Sequence, residues 1–165
     1  MVAVAEGVLF VHSCPRAVSP HVEWATGRIL GVAVNFRWQD QPAEPGTRRA
    51  EFTWSGAPGD GARLASAIRG WEDVRFEVTE ESDGDDGSRW MRTPALGMFR
   101  AQTDRSGGIV VGEDRLRQAM ADGRQDAFAL HEALARALGQ PWDDELEPFR
   151  RATAEMPVVW LRRSS

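Results

Sequence analysis

The sequence predicts an α+β fold on three observations: a strand, loop and helix unit across residues 7–31, three later stretches in which apolar and polar residues alternate, and a helical run between them. In the first unit, 8–11 is an apolar run of strand length that His12 and Cys14 carry toward a loop. Ser19 before Pro20 reads as a helix start, because the serine can accept an orphan amide and proline at the first helical position loses no hydrogen bond. Val22, Ala25, Ile29 and Leu30 follow at helical spacing, and Gly31 supplies the left-handed stop.

After the helix, Val32, Val34, Phe36 and Trp38 alternate with Ala33, Asn35, Arg37 and Gln39, the period of a half-buried strand. Residues 41–46, with Pro42, Pro45 and Gly46, form a hairpin connection. Ala50, Phe52 and Trp54 share one face of its second strand. The glycine-rich loop 55–61 leads to Asp60 as a cap for a helix carrying Leu64, Ala67, Ile68 and Trp71, and Val74, Phe76 and Val78 mark another strand. Strand, helix, strand, strand, helix, strand is the split βαβ order, so residues 7–80 are expected to form a ferredoxin-like βαββαβ core. With the first and third strands as parallel neighbours, the loops leaving them and the two helix N-termini would converge at one edge.

Residues 80–87 are an acidic turn; Asp83, Asp85 and Asp86 resemble a calcium loop without its closing glutamate. An extension over 88–165 follows: two short strands within 88–103 broken near Thr93 and Pro94, another at 109–111, and a helix over 113–121 with Leu116, Ala119 and Met120 inward. Then come a helix over 126–138 with Ala127, Leu130, Leu134 and Leu138 inward, a short helix at most near Trp142, and a final strand at 158–162. With no repeat and no long linker, 1–165 reads as a single domain.

The apolar content of 42% beside 27% charged residues is that of an ordinary globular protein. A net charge of −5 argues against nucleic acid, since nothing offsets repulsion from phosphates. Every basic residue is arginine, and the absence of lysine removes Schiff-base chemistry and a P-loop. The single cysteine, Cys14, excludes an internal disulfide and a multi-cysteine zinc site. Neither a signal peptide nor a span of roughly 18 apolar residues is present, so a cytoplasmic location without membrane contact is expected.

The leading candidate site is an anion pocket at the edge, built from His12, Arg16, Ser19 and His21 of the first loop and Ser55, Gly59, Gly61 and Arg63 of the second. Two helix dipoles, loop amides and two guanidinium forks would suit a phosphate or carboxylate, although Asp60 competes for the same potential. The spacing of His12, Cys14 and His21 could gather metal ligands, but a fourth is missing and no metal or other cofactor is expected. An exposed aromatic sheet face for RNA is unlike this chain. Phe36, Trp38, Phe52, Trp54 and Phe76 share parity with the core, and the other face mixes Arg37, Arg49, Glu51, Arg75 and Glu77. An acylphosphatase-like alternative would place Arg16, His21 and Asn35 in a catalytic site. Trp142, Phe149 and Trp160 are candidates for a partner surface.

The stretches VHSCPRAVSPHVEWA, GARLASAIRGWEDVRFEVTEE, TPALGMF, VGEDRLR, WDDELEPFR and VVWLRR resemble an actinobacterial family, domain-of-unknown-function family 3145. The resemblance spans nearly the whole chain and brings no active site with it. It implies a role beside fatty-acid synthesis, with acyl carrier protein or an acyl-CoA-related protein as partner and acyl-phosphopantetheine or another anionic group as ligand. The expected function is therefore non-catalytic binding or regulation, with a small hydrolase of acyl phosphates or thioesters as the alternative.

Overall fold

The structure is a computed structural model that describes residues 2–82, 84 and 86–152. Among them the chain forms β1 (Ala5–Pro15), α1 (Ser19–Leu30), β2 (Gln39–Asp40), β3 (Thr47–Gly56), α2 (Asp60–Ile68) and β4 (Arg75–Ser82). It continues through β5 (Gly87–Thr93), β6 (Gly97–Thr103), β7 (Ile109–Val110), α3 (Glu113–Asp122), α4 (Ala127–Ala137) and α5 (Gln140–Arg151). The strands make one seven-stranded sheet in the order β2-β3-β1-β4-β5-β6-β7, and every pairing is antiparallel. The fold is α+β.

Leu9, Val11, Phe76 and Val78 face one side of the sheet and pack against Val22 of α1 and Leu64 and Ile68 of α2. Each large aliphatic buried there contributes about 1.5–3 kcal/mol. On the opposite side α5 seals a smaller cluster of Met91, Phe99, Trp142 and Leu146. The sheet itself lies between the two clusters, with adjacent residues Trp90 and Met91 of β5 belonging to one each.

Several expectations change. The segment 32–38 alternates as a strand does, yet only Gln39 and Asp40 pair with β3. Glu23 of α1 takes the place of a strand partner, accepting the Phe36 amide at 2.9 Å and the Trp38 indole N–H at 3.2 Å. The alternation signals burial, and Phe36 is buried, without dictating a ladder. Ser19 does not cap α1: Val18 is the cap residue, and the Ser19 hydroxyl turns back to the Pro15 carbonyl at 3.2 Å. Gly59 rather than Asp60 precedes α2. On α3, Leu116 and Met120 are exposed and only Ala119 is buried; on α4 Leu138 is exposed and Ala137 buried. The short helix expected near Trp142 is a twelve-residue one, with Gly139 at φ 78 before it and Pro141 in its first turn. The strand expected at 158–162, together with Trp160, Asp83 and Asp85, lies outside the described residues.

Candidate functional site

The anticipated edge pocket is not assembled. Three chain reversals separate β1 from β3, so the two neighbours run antiparallel, with Pro15 opposite Thr47 and Ala5 opposite Gly56. Across the eleven residues of β1 this places the two loops roughly 30 Å apart at ~3.3 Å per residue. The helices agree. His21 at the start of α1 stacks on Trp71 beyond the end of α2 at 6.4 Å, and Leu30 at the end of α1 approaches Gly56 before α2.

Each half of that pocket is satisfied internally. The Glu80 carboxylate accepts the Gly59 amide at 2.9 Å and the Gly61 amide at 2.7 Å, occupying the N-terminus of α2 with the protein's own negative charge. A Cβ at Gly61 would meet Glu80 Oε2 at 2.6 Å, so a larger residue there would have to displace that carboxylate. Arg63 pairs with Asp60 at 3.0 Å, Arg16 with Asp40 at 2.5 Å, and Ser55 is exposed. Asn35 is exposed in the unpaired segment after α1, while Arg16 is paired with Asp40 and His21 is stacked on Trp71. Of the partner-surface residues, Trp142 is 4% exposed and donates its indole N–H to Gly97, so it is core. The Phe149 ring lies under Arg75 at 4.4 Å. His12 and Cys14 face opposite sides of the sheet, Cys14 inside the apolar cluster. Burial pushes its thiol up to about 11, with the Ser19 hydroxyl pulling weakly the other way.

What the tertiary structure assembles instead lies on the α5 face. A bulge in β1 between Val11 and Cys14 turns His12 and Ser13 together toward that face. There His12 Nε2 meets Glu77 Oε2 at 2.5 Å, with both residues buried. Arg150 of α5 donates to both Glu77 oxygens, at 3.0 and 2.6 Å, and to Asp143 at 2.8 Å; Arg89 of β5 reaches Glu77 at 2.7 Å. Burial alone would raise the Glu77 carboxyl, but the bonds from His12, Arg150 and Arg89 outweigh it and hold the group well below the usual carboxylate range. Glu77 is therefore an acceptor, and His12 donates to it from Nε2.

This hub is one end of an open groove. A cavity of about 470 Å³ is lined by Phe10, His12, Arg49, Glu51, Glu77 and Arg89 among others. It adjoins one of about 790 Å³ that shares Phe10, His12, Arg49 and Glu51 and adds Arg37, Gln39, Asp40, Pro42 and Ala152, with the backbone of β1 and β3 as its floor. Arg49 donates from Nη1 to the carbonyls of Phe149 and Ala152, complementing the C-terminal end of α5. Arg49 Nη2 and Nε, and Arg89 Nη1 and Nε, have no partner among the described residues. Arg150 has spent all its nitrogens. Of these residues the sequence reading placed Arg49, Glu51 and Glu77 on one sheet face, by parity. It did not foresee that α5 would cover part of that face or join His12 to it, and it missed Arg89 and Asp143.

Fold and groove together define an α+β protein with a guanidinium-lined cleft on the sheet face opposite its main core. Residues 8–163 match the family described as Protein of unknown function (DUF3145), and the chain belongs to that family. No curated protein and no solved structure matches it. Among the described residues no helix is long and apolar enough to cross a membrane, and no cluster of three or more metal-ligating side chains occurs.

Proposed function

We propose that this protein is a non-catalytic binding or regulatory protein whose ligand lies in the groove across β3, β1 and β4. The observation that carries the reading is the pair of adjoining cavities, with Phe10, Pro42 and Ala152 as apolar walls, Arg37, Gln39 and Asp40 at one side, and His12 and Arg49 at their junction. Such a lining suits an elongated ligand with an anionic head and an apolar stem. An acyl-CoA or the acyl-phosphopantetheine arm of a carrier protein has that character, which makes a component of fatty-acid synthesis the partner. In the same reading the protein is cytoplasmic. The order β2-β3-β1-β4, with α1 and α2 against one face, supports reading residues 7–80 as a ferredoxin-like unit to which the later strands are added.

Calorimetry with a long-chain acyl-CoA tests the ligand, and native copurification followed by mass spectrometry tests the partner. The expected results are saturable binding, weakened about tenfold by Arg49→Gln, and recovery of a fatty-acid synthesis protein. Absence of both would end the reading.

A further inference from the structure

The described chain ends at the edge of the groove. Ala152 is fully buried, lines the larger cavity and leaves α5 in extended backbone. Arg49 fixes that exit by donating from Nη1 to the Ala152 carbonyl. The sequence beyond it places Glu155 before the apolar run MPVVWL at 156–161, which Arg162 and Arg163 follow directly. The family match runs to residue 163, so this segment is part of the domain the family defines.

The uncovered sheet face is ordered in the opposite sense of charge. Arg37 and Arg49 line the cavity where the chain leaves α5, and Arg49 keeps Nη2 and Nε without a partner among the described residues. Half-buried Phe10 comes next, opposite Glu77 of β4 and the exposed Glu51 of β3. The strand period then brings half-buried Val8 opposite Thr53, and after it Glu6 opposite Ser55 and Glu81. Outward from Ala152 the face therefore runs from cations through an apolar pair to carboxylates, with Glu51 flanking the pair. The segment runs from an anion through apolar residues to cations, so each part laid along the face meets its complement. The path from Arg49 to Ser55 is about 20 Å at ~3.3 Å per residue. Residues 153–162 can span about 33 Å, which leaves slack for the turn out of α5. Glu6 and Glu81 face each other directly, a like-charge pair that a cation would relieve. Arg105 lines a cavity with Glu81, whereas Glu6 has no ion pair among the described residues.

We propose that residues 155–163 of this chain dock along the groove, with 156–161 over Phe10 and Val8 and Arg162 and Arg163 at Glu6. The occupant is the chain's own segment, and a ligand must displace it. The docking stands on the geometry of the face; the exchange rests on the groove being the ligand site.

The test is paramagnetic broadening of amide signals in the full-length protein carrying a nitroxide at Ser164→Cys. Cys14 does not compete for the label, because it is buried and burial raises its thiol to about 11. The expected result is strong broadening at Glu6, Val8 and Thr53, with the exposed Trp24 of α1 unaffected. Trp160→Ser, or Arg162→Glu together with Arg163→Glu, should remove it. Broadening that survives both changes overturns the proposal. So does broadening centred on Leu116, Met120 and Phe128, the exposed apolar side chains of α3 and α4. Broadening passed from labelled to unlabelled copies in a mixture also overturns it, since the occupant would then be a second copy's segment. A long-chain acyl-CoA should relieve the broadening. Trp160→Ser should tighten acyl-CoA about tenfold, the gain expected if the segment holds the groove about nine-tenths of the time. Saturable acyl-CoA binding with no broadening defeats the docking and leaves the groove reading standing. Broadening as expected without acyl-CoA binding does the reverse.

Discussion

On the face of the sheet covered by α1 and α2, Leu9, Val11, Phe76 and Val78 meet Val22, Leu64 and Ile68 in one apolar cluster. On the face covered by α5, the same two central strands present His12 and Glu77 to Arg150. The first face is closed by burial, which is non-directional and fills the space available. The second is held by a few directional, charge-assisted bonds, so its surface between the attachment points remains open. The difference explains why the groove lies on this face, and why α5, docked mainly through Trp142, Leu146 and Arg150, leaves β3 and part of β1 uncovered.

The comparison is broken most severely by Glu77→Ala. Removing the acceptor strands His12, Arg89 and Arg150, two of them arginines that cannot shed their charge, and the expected loss is about 3–5 kcal/mol in denaturant unfolding. On the other face, Leu64→Ala should cost about 2–5 kcal/mol by leaving a cavity. The two variants should differ in character. Salt should alter the deficit of Glu77→Ala and leave that of Leu64→Ala nearly unchanged.

Acid sharpens the contrast. Because the carboxyl of Glu77 is lowered in the folded protein, the unfolded chain takes up a proton first as pH falls. The stabilisation is thus complete above the ordinary glutamate value of 4.5 and is lost progressively below it. Unfolding midpoints measured from pH 7 down to pH 3 should fall for the wild type, and the slope below 4.5 should flatten in Glu77→Gln.

Smaller effects are expected at the ends of the sheet. Glu80→Gln weakens the interaction of a full negative charge with the amides of Gly59 and Gly61, at a cost of about 1 kcal/mol in thermal or denaturant unfolding. Arg16→Ala breaks an exposed pair with Asp40 and should change stability by less than about 0.5 kcal/mol in the same assay. A large effect at Arg16 with none at Glu77 would invert the picture of where the chain keeps its important charges.

Local chemistry made much of the chain legible from its sequence. Pro20 and Gly31 bound α1, the alternation at 49–54 and 74–79 marks β3 and β4, and Gly139 closes α4, because each depends on the dihedral preferences or side-chain period of adjacent residues. The α+β class followed from those units. Three decisions belong to contacts between residues far apart in the chain. Antiparallel pairing of β1 with β3 separates Arg16 from Arg63. Glu80 of β4 fills the α2 terminus that an outside anion was expected to occupy. Glu77, 65 residues from His12, becomes its partner only once a bulge in β1 and the docking of α5 have buried both. A strand's period fixes which face a side chain takes, but not which strand lies beside it, in which direction, or what covers that face; those follow from burying the whole sheet at once.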